Sequence, residues 1–382
     1  MEEHFKYCTT EVRYADLELA GCLYLDNIAR LGEDLDAIQD GNNRVERMAE
    51  YKLLDYNFEK SSMVIFGSKK FKTKINKRLQ ENPVTFCGRP MKLNESECYL
   101  GDFMGSSLSE SVMKTIQSRK GLTMRLINEI KVTVEDYKAN SVGGLTIGLK
   151  LWNQAVCPFL FSNSSCWIEM SKKSLTLLNS IQRDFFRSLF LQPKGCPIPL
   201  FLYDTGSLSP ENHIIMQKLL LLFHLCHLPD SSLAKQIYLI QKEHSLHDGL
   251  ISECDKHLKD MNIYSGPEFF TKKGWTRLIK ERIHCRNKNQ LLDEMKHYKK
   301  IDYEKMLEEG YGEKPYLHNM TVSEARTFFS IRCSMVSCVK LNFKNKKEFR
   351  DTDDGFLCEC GEHPDSQSAL LSCKLYYTMF SL

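Results

Sequence analysis

The sequence predicts an α+β protein in which a small sheet-containing segment, residues 1–105, precedes a mostly helical region. Short apolar runs separated by turn-forming residues occupy the first hundred residues, whereas later apolar residues recur at the three- and four-residue spacing of helices. The chain has 382 residues, of which 42% are hydrophobic and 26% are charged. This composition can bury a sizeable core and excludes a broadly disordered chain.

Charge and cysteine usage narrow the class of protein. The 52 basic and 49 acidic side chains leave a net charge of +3, so any nucleic-acid-binding surface has to be local. The fifteen cysteines are spread singly rather than at the dense spacings of a secreted disulfide scaffold, and the first residues contain no apolar signal segment. We therefore expect an intracellular protein, nuclear or cytoplasmic, that is not secreted and has no membrane partner.

Three apolar runs predict strands in the first segment. Residues 22–28 form a short apolar run interrupted by a polar pair and then resumed, as expected either for a hairpin tip or for a strand end that holds polar groups. Residues 63–66 predict a buried strand. Residues 84–93 predict a second hairpin with Gly88 at its turn.

Helices are predicted from apolar periodicity and from capping residues. A helix over residues 33–54 is weakened at Gly41 by about 1 kcal/mol relative to alanine. Further helices are expected over 108–140 with a break at Gly121, over 171–191, from Ser209-Pro210 onward, over 272–300 and over 323–338. Residues 193–199 are predicted to be a loop and residues 340–350 a basic linker.

The tetrapeptide Tyr24-Leu25-Asp26-Asn27 is the first candidate for chemistry. An aromatic-x-Asp-Asp turn between two short strands is how polymerase palms present carboxylates to Mg²⁺, which prefers oxygen ligands. The tetrapeptide has a second interpretation, because Asp and Asn are common residues of ordinary tight turns.

The order of the following motifs favours the first interpretation. The motif Asn57-Phe58-Glu59-Lys60-Ser61 precedes the 63–66 strand, and the 84–93 hairpin is followed by Tyr99-Leu100-Gly101. Residues 149–152, 158–167, 178–187 and 199–206 continue the series through the helical half. In this order the motifs resemble the second half of the reverse transcriptase of non-LTR (long interspersed element-type) retrotransposons, over roughly residues 10–375.

The resemblance implies both an organisation and an activity. It implies a partial palm over 1–105, a thumb-like region over 106–250, a basic helical connection over 251–350 and a zinc-knuckle-like tail over 351–382. The family activity is Mg²⁺-dependent, RNA-templated synthesis of DNA, with RNA and DNA as partners. The resemblance implies that Asp26 is a metal ligand and that Lys60 assists proton transfer to the leaving pyrophosphate.

Two departures from the family pattern lead us to expect a catalytically incomplete polymerase fragment. Asn27 stands where the family has a second aspartate, and its neutral amide does not supply the missing charge. The family's other catalytic aspartate lies upstream of this box with the fingers, and the residues before Asp26 do not supply it. Two-metal catalysis then lacks ligands. The alternative is a non-catalytic nucleic-acid-binding or interaction protein derived from such an element.

A compact set of cysteines and one histidine ends the chain. Three cysteines and one histidine are a common ligand set of structural zinc sites, and here they are Cys358, Cys360, His363 and Cys373. One residue, and not the usual two, separates the first pair of cysteines. The tail resembles the family's terminal knuckle, which has a histidine at the position of Ala369. The alternative is a decayed site with free thiols.

Two basic segments are candidates for contact with phosphates. Residues 68–78 contain no acidic residue, and their lysines include Lys69, Lys70, Lys72 and Lys74. Residues 272–300 carry ten Lys/Arg against three Asp/Glu, with Arg277, Lys280 and Arg282 interleaved with Trp275. An apolar face of the same segment is predicted from Trp275, Leu278, Ile279 and Ile283. Such charges bind phosphates with counterion release, and aromatic rings can stack on bases. The alternative is that both segments are solvated helix faces.

Overall fold

The computed structural model describes residues 12–14, 17–19, 21–24, 27–105, 107–137, 141–243, 249–298 and 303–333. These residues form helices and small two-stranded sheets, which confirms the α+β class at this level. They divide into two compact units. The first unit draws on residues 1–118, 165–174 and 221–269, and the second on residues 119–164, 175–220 and 270–382.

The described strands are short, pair two by two, and all belong to the first unit. The antiparallel pairs are β1 (Val12–Tyr14) with β2 (Leu17–Leu19), β3 (Gly21–Tyr24) with β4 (Asn27–Arg30), β6 (Thr85–Phe86) with β7 (Arg89–Pro90), and β9 (Ser96–Tyr99) with β10 (Asp102–Gly105). One pair is parallel, β5 (Ser62–Val64) with β8 (Lys92–Asn94).

The hairpin predicted around Gly88 is confirmed. Phe86 pairs with Arg89 across a two-residue turn, and both turn residues have positive φ angles, 51° at Cys87 and 69° at Gly88. Two consecutive positive φ angles make the tight turn whose twist matches a β-hairpin, and glycine adopts such angles without steric cost.

The strand predicted over 63–66 differs in extent and burial. β5 covers Ser62–Val64, is only half-buried, and pairs with a single partner strand. Phe66 follows the strand with half of its side-chain surface exposed (50%). Met63 of β5 packs against the core cluster of Leu35, Ile75 and Val84, but all three residues of the strand stay partly exposed. A fully buried strand needs packing on both faces.

The packing around residue 41 explains why a glycine occupies this position inside a helix. Gly41 lies in helix α1 (Leu35–Lys52), whose N-terminus is capped by Asp34, with Oδ1 accepting from the Ala37 amide at 2.7 Å. A Cβ atom at Gly41 would lie 1.8 Å from Nη2 of Arg30. The glycine therefore makes room for the guanidinium of β4 against the helix.

The remaining helices follow in chain order. They are α2 (Lys69–Glu81), α3 (Leu108–Asp136), α4 (Gly144–Leu151), α5 (Cys157–Leu160), α6 (Lys172–Phe190), α7 (Ile198–Thr205), α8 (Pro210–Cys226), α9 (Leu233–Glu243), α10 (Leu250–Asp260), α11 (Lys272–Met295), α12 (Tyr303–Glu309), α13 (Pro315–Asn319) and α14 (Val322–Arg332). One π-helical turn, Trp152–Val156, joins α4 to α5. Short 3-10 turns cover Phe58–Lys60, Ser164–Cys166 and Pro267–Phe269.

The break predicted at Gly121 is absent, because α3 is one helix of 29 residues that includes Gly121. A glycine costs a helix only about 1 kcal/mol, which the flanking turns offset. The loop predicted over 193–199 ends earlier than expected, because α7 begins at Ile198. Proline is tolerated in a first helical turn, and the continuous burial of residues 199–205 removes the periodicity that signals a surface helix.

Stacked aromatic side chains form the core of the second unit. The rings of Trp152 and Phe185 stack at 4.3 Å between centroids, and Phe201 stacks on Phe329 at 4.4 Å. These rings have at most 1% of their surface exposed, and such pairs add to the energy of area burial. The second stack joins α7 to α14.

The predicted helix over 323–338 is confirmed as far as α14 extends, and residues 334–382, with the predicted basic linker, lie outside the described residues. Among the described helices, none combines the length and the hydropathy needed to cross a membrane.

Candidate nucleic-acid interface

The hairpin predicted around the Tyr-Leu-Asp-Asn box is confirmed. β3 and β4 pair in a register that sets Tyr24 opposite Asn27 and Leu23 opposite Ile28. Asp26 itself lies outside the described residues, as does the side-chain environment of Asn27. The metal site that the resemblance implies at Asp26 and Asn27 therefore stays a prediction.

Lys60 lies at the end of a short turn that one hydrogen bond and one ion pair stabilise. The Lys60 amide donates to Oδ1 of Asn57 at 3.3 Å. The neighbouring Glu59 pairs with Lys92 of β8 at 2.9 Å, and this hydrogen bond and charge hold the pKa of the Glu59 carboxyl below its usual range. The Lys60 side chain is exposed. In the described part of the chain, no hydrogen bond or ion pair joins it to the β3–β4 hairpin.

The first basic segment forms helix α2, which the first unit holds firmly. Oγ of Ser68 accepts a hydrogen bond from the Phe71 amide at 3.3 Å and caps the helix. On the inner face of α2, Ile75 is buried with Leu35 and Val84, and Leu79 packs against the same cluster. These contacts fix the orientation of the opposite face.

Lysines occupy that opposite face. Lys70, Lys74 and Lys77 are spaced by four and three residues, so they share one side of the helix, and all three are exposed. We call Lys70, Lys74 and Lys77 the lysine stripe. Among the described residues none of the three has an ion-pair partner, whereas the adjacent Arg78 pairs with Asp36 at 3.2 Å.

The other two candidate lysines of this segment lie off the stripe. Lys69 is exposed at the first position of α2, and Lys72 is half-buried on the side nearer the core. Both add positive charge to the region around the stripe.

Two exposed phenylalanines flank the start of α2, and sequence reasoning missed them. Phe66 is 50% exposed and Phe71 is 40% exposed. Gly67, with φ of 125°, leaves room for the Phe71 ring, which would lie 3.0 Å from an added Cβ. The sequence could have indicated them, because two phenylalanines flank Gly67-Ser68-Lys69-Lys70. Aromatic rings beside lysines are typical of surfaces that bind single-stranded nucleic acid.

The second basic segment forms helix α11. Its predicted apolar face is confirmed at Trp275, Ile279 and Ile283, whereas the prediction that Trp275 is available to stack on bases was wrong. Trp275 is fully buried, and its Nε1–H donates to the Leu219 carbonyl oxygen at 2.8 Å. Ile279 and Ile283 continue the same buried ridge at four-residue spacing. The ring therefore belongs to the core of the second unit and is not available to bases.

The charges of α11 are partly neutralised. Arg277 pairs with Glu281 at 3.1 Å, and Arg286 lies 3.7 Å from Glu211. Lys280 and Arg282 are exposed, and neither has an ion-pair partner within the described ranges. Lys272 and Lys273 in the first turn of α11 are exposed as well. The lysine stripe therefore differs from α11 in the exposed Phe66 and Phe71 beside it and not in a larger number of cations.

The four candidate zinc ligands Cys358, Cys360, His363 and Cys373 lie outside the described residues. Within the part of the chain that the structure describes, no group of three or more His, Cys, Asp or Glu side chains is arranged to hold a metal ion. The zinc set therefore stays a prediction.

Comparison with protein-family models, curated proteins and solved structures finds no match for this chain. The polymerase resemblance thus depends on the order of the motifs alone.

Proposed function

We propose that the chain is a part of a non-LTR retrotransposon reverse transcriptase and that it holds RNA and DNA through the lysine stripe of α2. One observation carries the binding proposal: three lysines without an ion-pair partner among the described residues lie on the exposed face of a helix whose other face is packed into the core. The order of the motifs from the Tyr-Leu-Asp-Asn box to Tyr99-Leu100-Gly101 supports the family.

The physics of the surface favours a nucleic acid over other anions. Lysines spaced along one side of a helix follow a line of phosphates, and each contact releases counterions. Phe66 and Phe71 supply rings on which unpaired bases stack without regard to sequence. The packing of Ile75 preorganises the stripe, so little order has to be gained on binding.

Polymerase chemistry would require Mg²⁺ at the Tyr-Leu-Asp-Asn box. The hairpin register brackets Asp26 with Tyr24 and Asn27, so Asp26 and Asn27 are the residues that would hold Mg²⁺. One carboxylate and one neutral amide fit a divalent cation poorly where the family uses two carboxylates. We derive no catalytic step through this site, and Lys60 keeps only the proton-transfer role that the resemblance implies.

A second candidate function is a non-catalytic nucleic-acid-binding protein derived from such an element. The uncompensated lysine stripe supports it equally, because phosphate contact needs no metal site. Primer extension, which requires the metal site, separates the two functions.

Binding is tested by removing the stripe from the full chain. Replacing Lys70, Lys74 and Lys77 by alanine should weaken binding to a fluorescent RNA–DNA primer–template and flatten the log–log salt slope by about two to three units. Fluorescence anisotropy titrations at salt concentrations from about 50 to about 300 mM measure both the affinity and its salt dependence.

The matched control removes the same charge elsewhere. Lys120, Lys256 and Lys259 are exposed lysines of α3 and α10, and replacing all three by alanine should leave the salt slope within about one unit of the original. Equal effects of the two triple variants would show that net charge alone attracts the nucleic acid, and the proposed interface would be wrong.

We also propose that Cys358, Cys360, His363 and Cys373 bind one zinc ion, because three thiolates and one imidazole make a tetrahedral donor set. Cobalt titration of the full chain should give the visible absorption of a tetrahedral thiolate site. His363→Ala should weaken this absorption and Ala369→His should strengthen it. Absorption that appears only in Ala369→His would show that the natural site has decayed.

A further inference from the structure

Two buried cysteines meet in the second unit although 137 positions separate them in the sequence. Cys196 lies just before α7, and Cys333 follows the last residue of α14. Their Sγ atoms are 3.2 Å apart, both are free thiols, and the residues are 3% and 2% exposed.

Two further contacts hold the segment around Cys196 and α7 against the C-terminal part of α14. The Gln192 side chain donates to Oγ of Ser330 at 2.6 Å. On the other side of the pair, Arg332 donates to both carboxylate oxygens of Asp204. The thiols are therefore brought together by several independent contacts, and the Sγ–Sγ approach does not depend on a single flexible side chain.

We propose that Cys196 and Cys333 form a reversible disulfide when the protein meets a peroxide. A disulfide bond is about 2.0 Å long, so the two sulfur atoms have to approach by little more than 1 Å from their present separation. The bond would join the end of α14 covalently to the segment that precedes α7.

The reaction balances with hydrogen peroxide as the oxidant. One cysteine thiolate attacks a peroxide oxygen, the O–O bond breaks, and a sulfenic acid and hydroxide form; the hydroxide takes up the thiol's proton to give water. The second thiol sulfur attacks the sulfenic sulfur, the S–O bond breaks, and a second water leaves with the remaining proton. The two sulfurs together lose two electrons, and one peroxide becomes two waters.

Burial decides which oxidants react and how fast. Hydrogen peroxide is small and uncharged, so local opening admits it more readily than a bulky disulfide such as oxidised glutathione. Burial and the neighbouring Cys196 raise the pKa of the Cys333 thiol, which keeps the reactive thiolate scarce. We therefore expect slow oxidation compared with exposed cysteines such as Cys285.

The disulfide would close a long loop of the unfolded chain. Long loops lose more conformational freedom when they are cross-linked, so the oxidised protein should unfold at a higher temperature. We expect the Tm of the full chain to rise by at least about 5 °C on oxidation and to return after reduction.

Mass spectrometry tests the bond in the full chain. After treatment with hydrogen peroxide, free thiols are blocked with N-ethylmaleimide and the protein is digested with trypsin. The proposal expects a cross-linked pair of peptides, residues 195–218 joined to residues 333–340, lighter by two hydrogens than the sum of the two peptides with one maleimide added to Cys338. Because the second peptide also contains Cys338, the experiment is done on Cys338→Ser as well, where the cross-link should persist.

Two variants and a matched control identify the partners. Cys196→Ser or Cys333→Ser should abolish the cross-link and the rise in Tm, whereas Cys157→Ser, which changes another buried thiol of the same unit, should retain both. The unsubstituted protein decides the question even if a variant fails to fold. Absence of the 196–333 cross-link after prolonged treatment that has fully oxidised exposed Cys285, or a mixture of unrelated cross-links, would overturn the proposal.

Discussion

The guanidinium of Arg332 donates two hydrogen bonds to the carboxylate of Asp204, from Nε at 2.8 Å and from Nη2 at 2.9 Å. Asp204 is fully buried, and the Tyr316 hydroxyl donates to the same carboxylate at 3.1 Å. Nη1 of Arg332 reaches Glu309 at 2.6 Å. This network ties the end of α14 to α7, α12 and α13 within the second unit.

Removing the cation should destabilise the second unit strongly. Arg332→Met leaves the charge of Asp204 buried without its main partner, which costs about 3–5 kcal/mol of unfolding free energy. Arg332→Met combined with Asp204→Asn should recover part of that loss, because the amide is neutral and still accepts from Tyr316. Urea denaturation of the two variants and of the unsubstituted protein measures these differences in unfolding free energy. A loss in Arg332→Met that the second substitution does not reduce would contradict this account of the pair.

Arg277, Lys280 and Arg282 of α11 together should contribute less to nucleic-acid binding than the three residues of the lysine stripe. Replacing Arg277, Lys280 and Arg282 by alanine is expected to flatten the salt slope by no more than about two units, since Glu281 already pairs with Arg277. The anisotropy titration used for the stripe measures the difference. A larger effect from α11 than from α2 would assign the main interface to α11.

Substitution of Trp275 should affect stability and leave binding alone. Trp275→Phe removes the hydrogen bond to the Leu219 carbonyl and part of the core volume, which should lower the unfolding free energy by about 1–3 kcal/mol. Affinity for the primer–template, measured well below the unfolding transition, should not change. A selective loss of affinity for single-stranded substrate would instead mean that the ring stacks on bases.

The chain alone should not extend a primer. The amide of Asn27 supplies no charge to a second metal ion, so incorporation of deoxynucleotides with Mg²⁺ or Mn²⁺ should stay at background. The control is Asp26→Ala, which should give the same background. Extension by the natural chain that disappears in Asp26→Ala would show a working metal site and would decide against the non-catalytic alternative.

His213 should make stability fall in mild acid. Burial against Phe161, with ring centroids 4.4 Å apart, lowers the pKa of His213 from 6.5 to about 4. Because the unfolded chain binds the proton more readily, stability is complete above pH 6.5 and falls by about 3 kcal/mol as pH decreases to 4. Denaturation curves of His213→Phe should lose this part of the pH dependence, whereas His224→Gln, which changes an exposed histidine, should keep it.

Features with local causes were predictable from the sequence. The turn at Cys87 and Gly88 needs only two residues that tolerate positive φ, and α8 starts at Pro210 behind the Ser209 cap. The hairpin around the Tyr-Leu-Asp-Asn box and the positive charge of α2 are likewise properties of consecutive residues. The sequence by itself thus determined the class of the fold, most helix positions and the location of one basic helix.

Tertiary structure alone decided which of these residues are available to a ligand. Trp275 looked like a stacking partner beside arginines, but packing against α8 buries it. Gly41 looked like a defect until Arg30 filled the space beside it, and Cys196 and Cys333 had no visible relation. The spacing of apolar residues indicates which face of a helix is buried. Which distant segments meet at that face depends on contacts between residues far apart in the chain, and local spacing does not determine them.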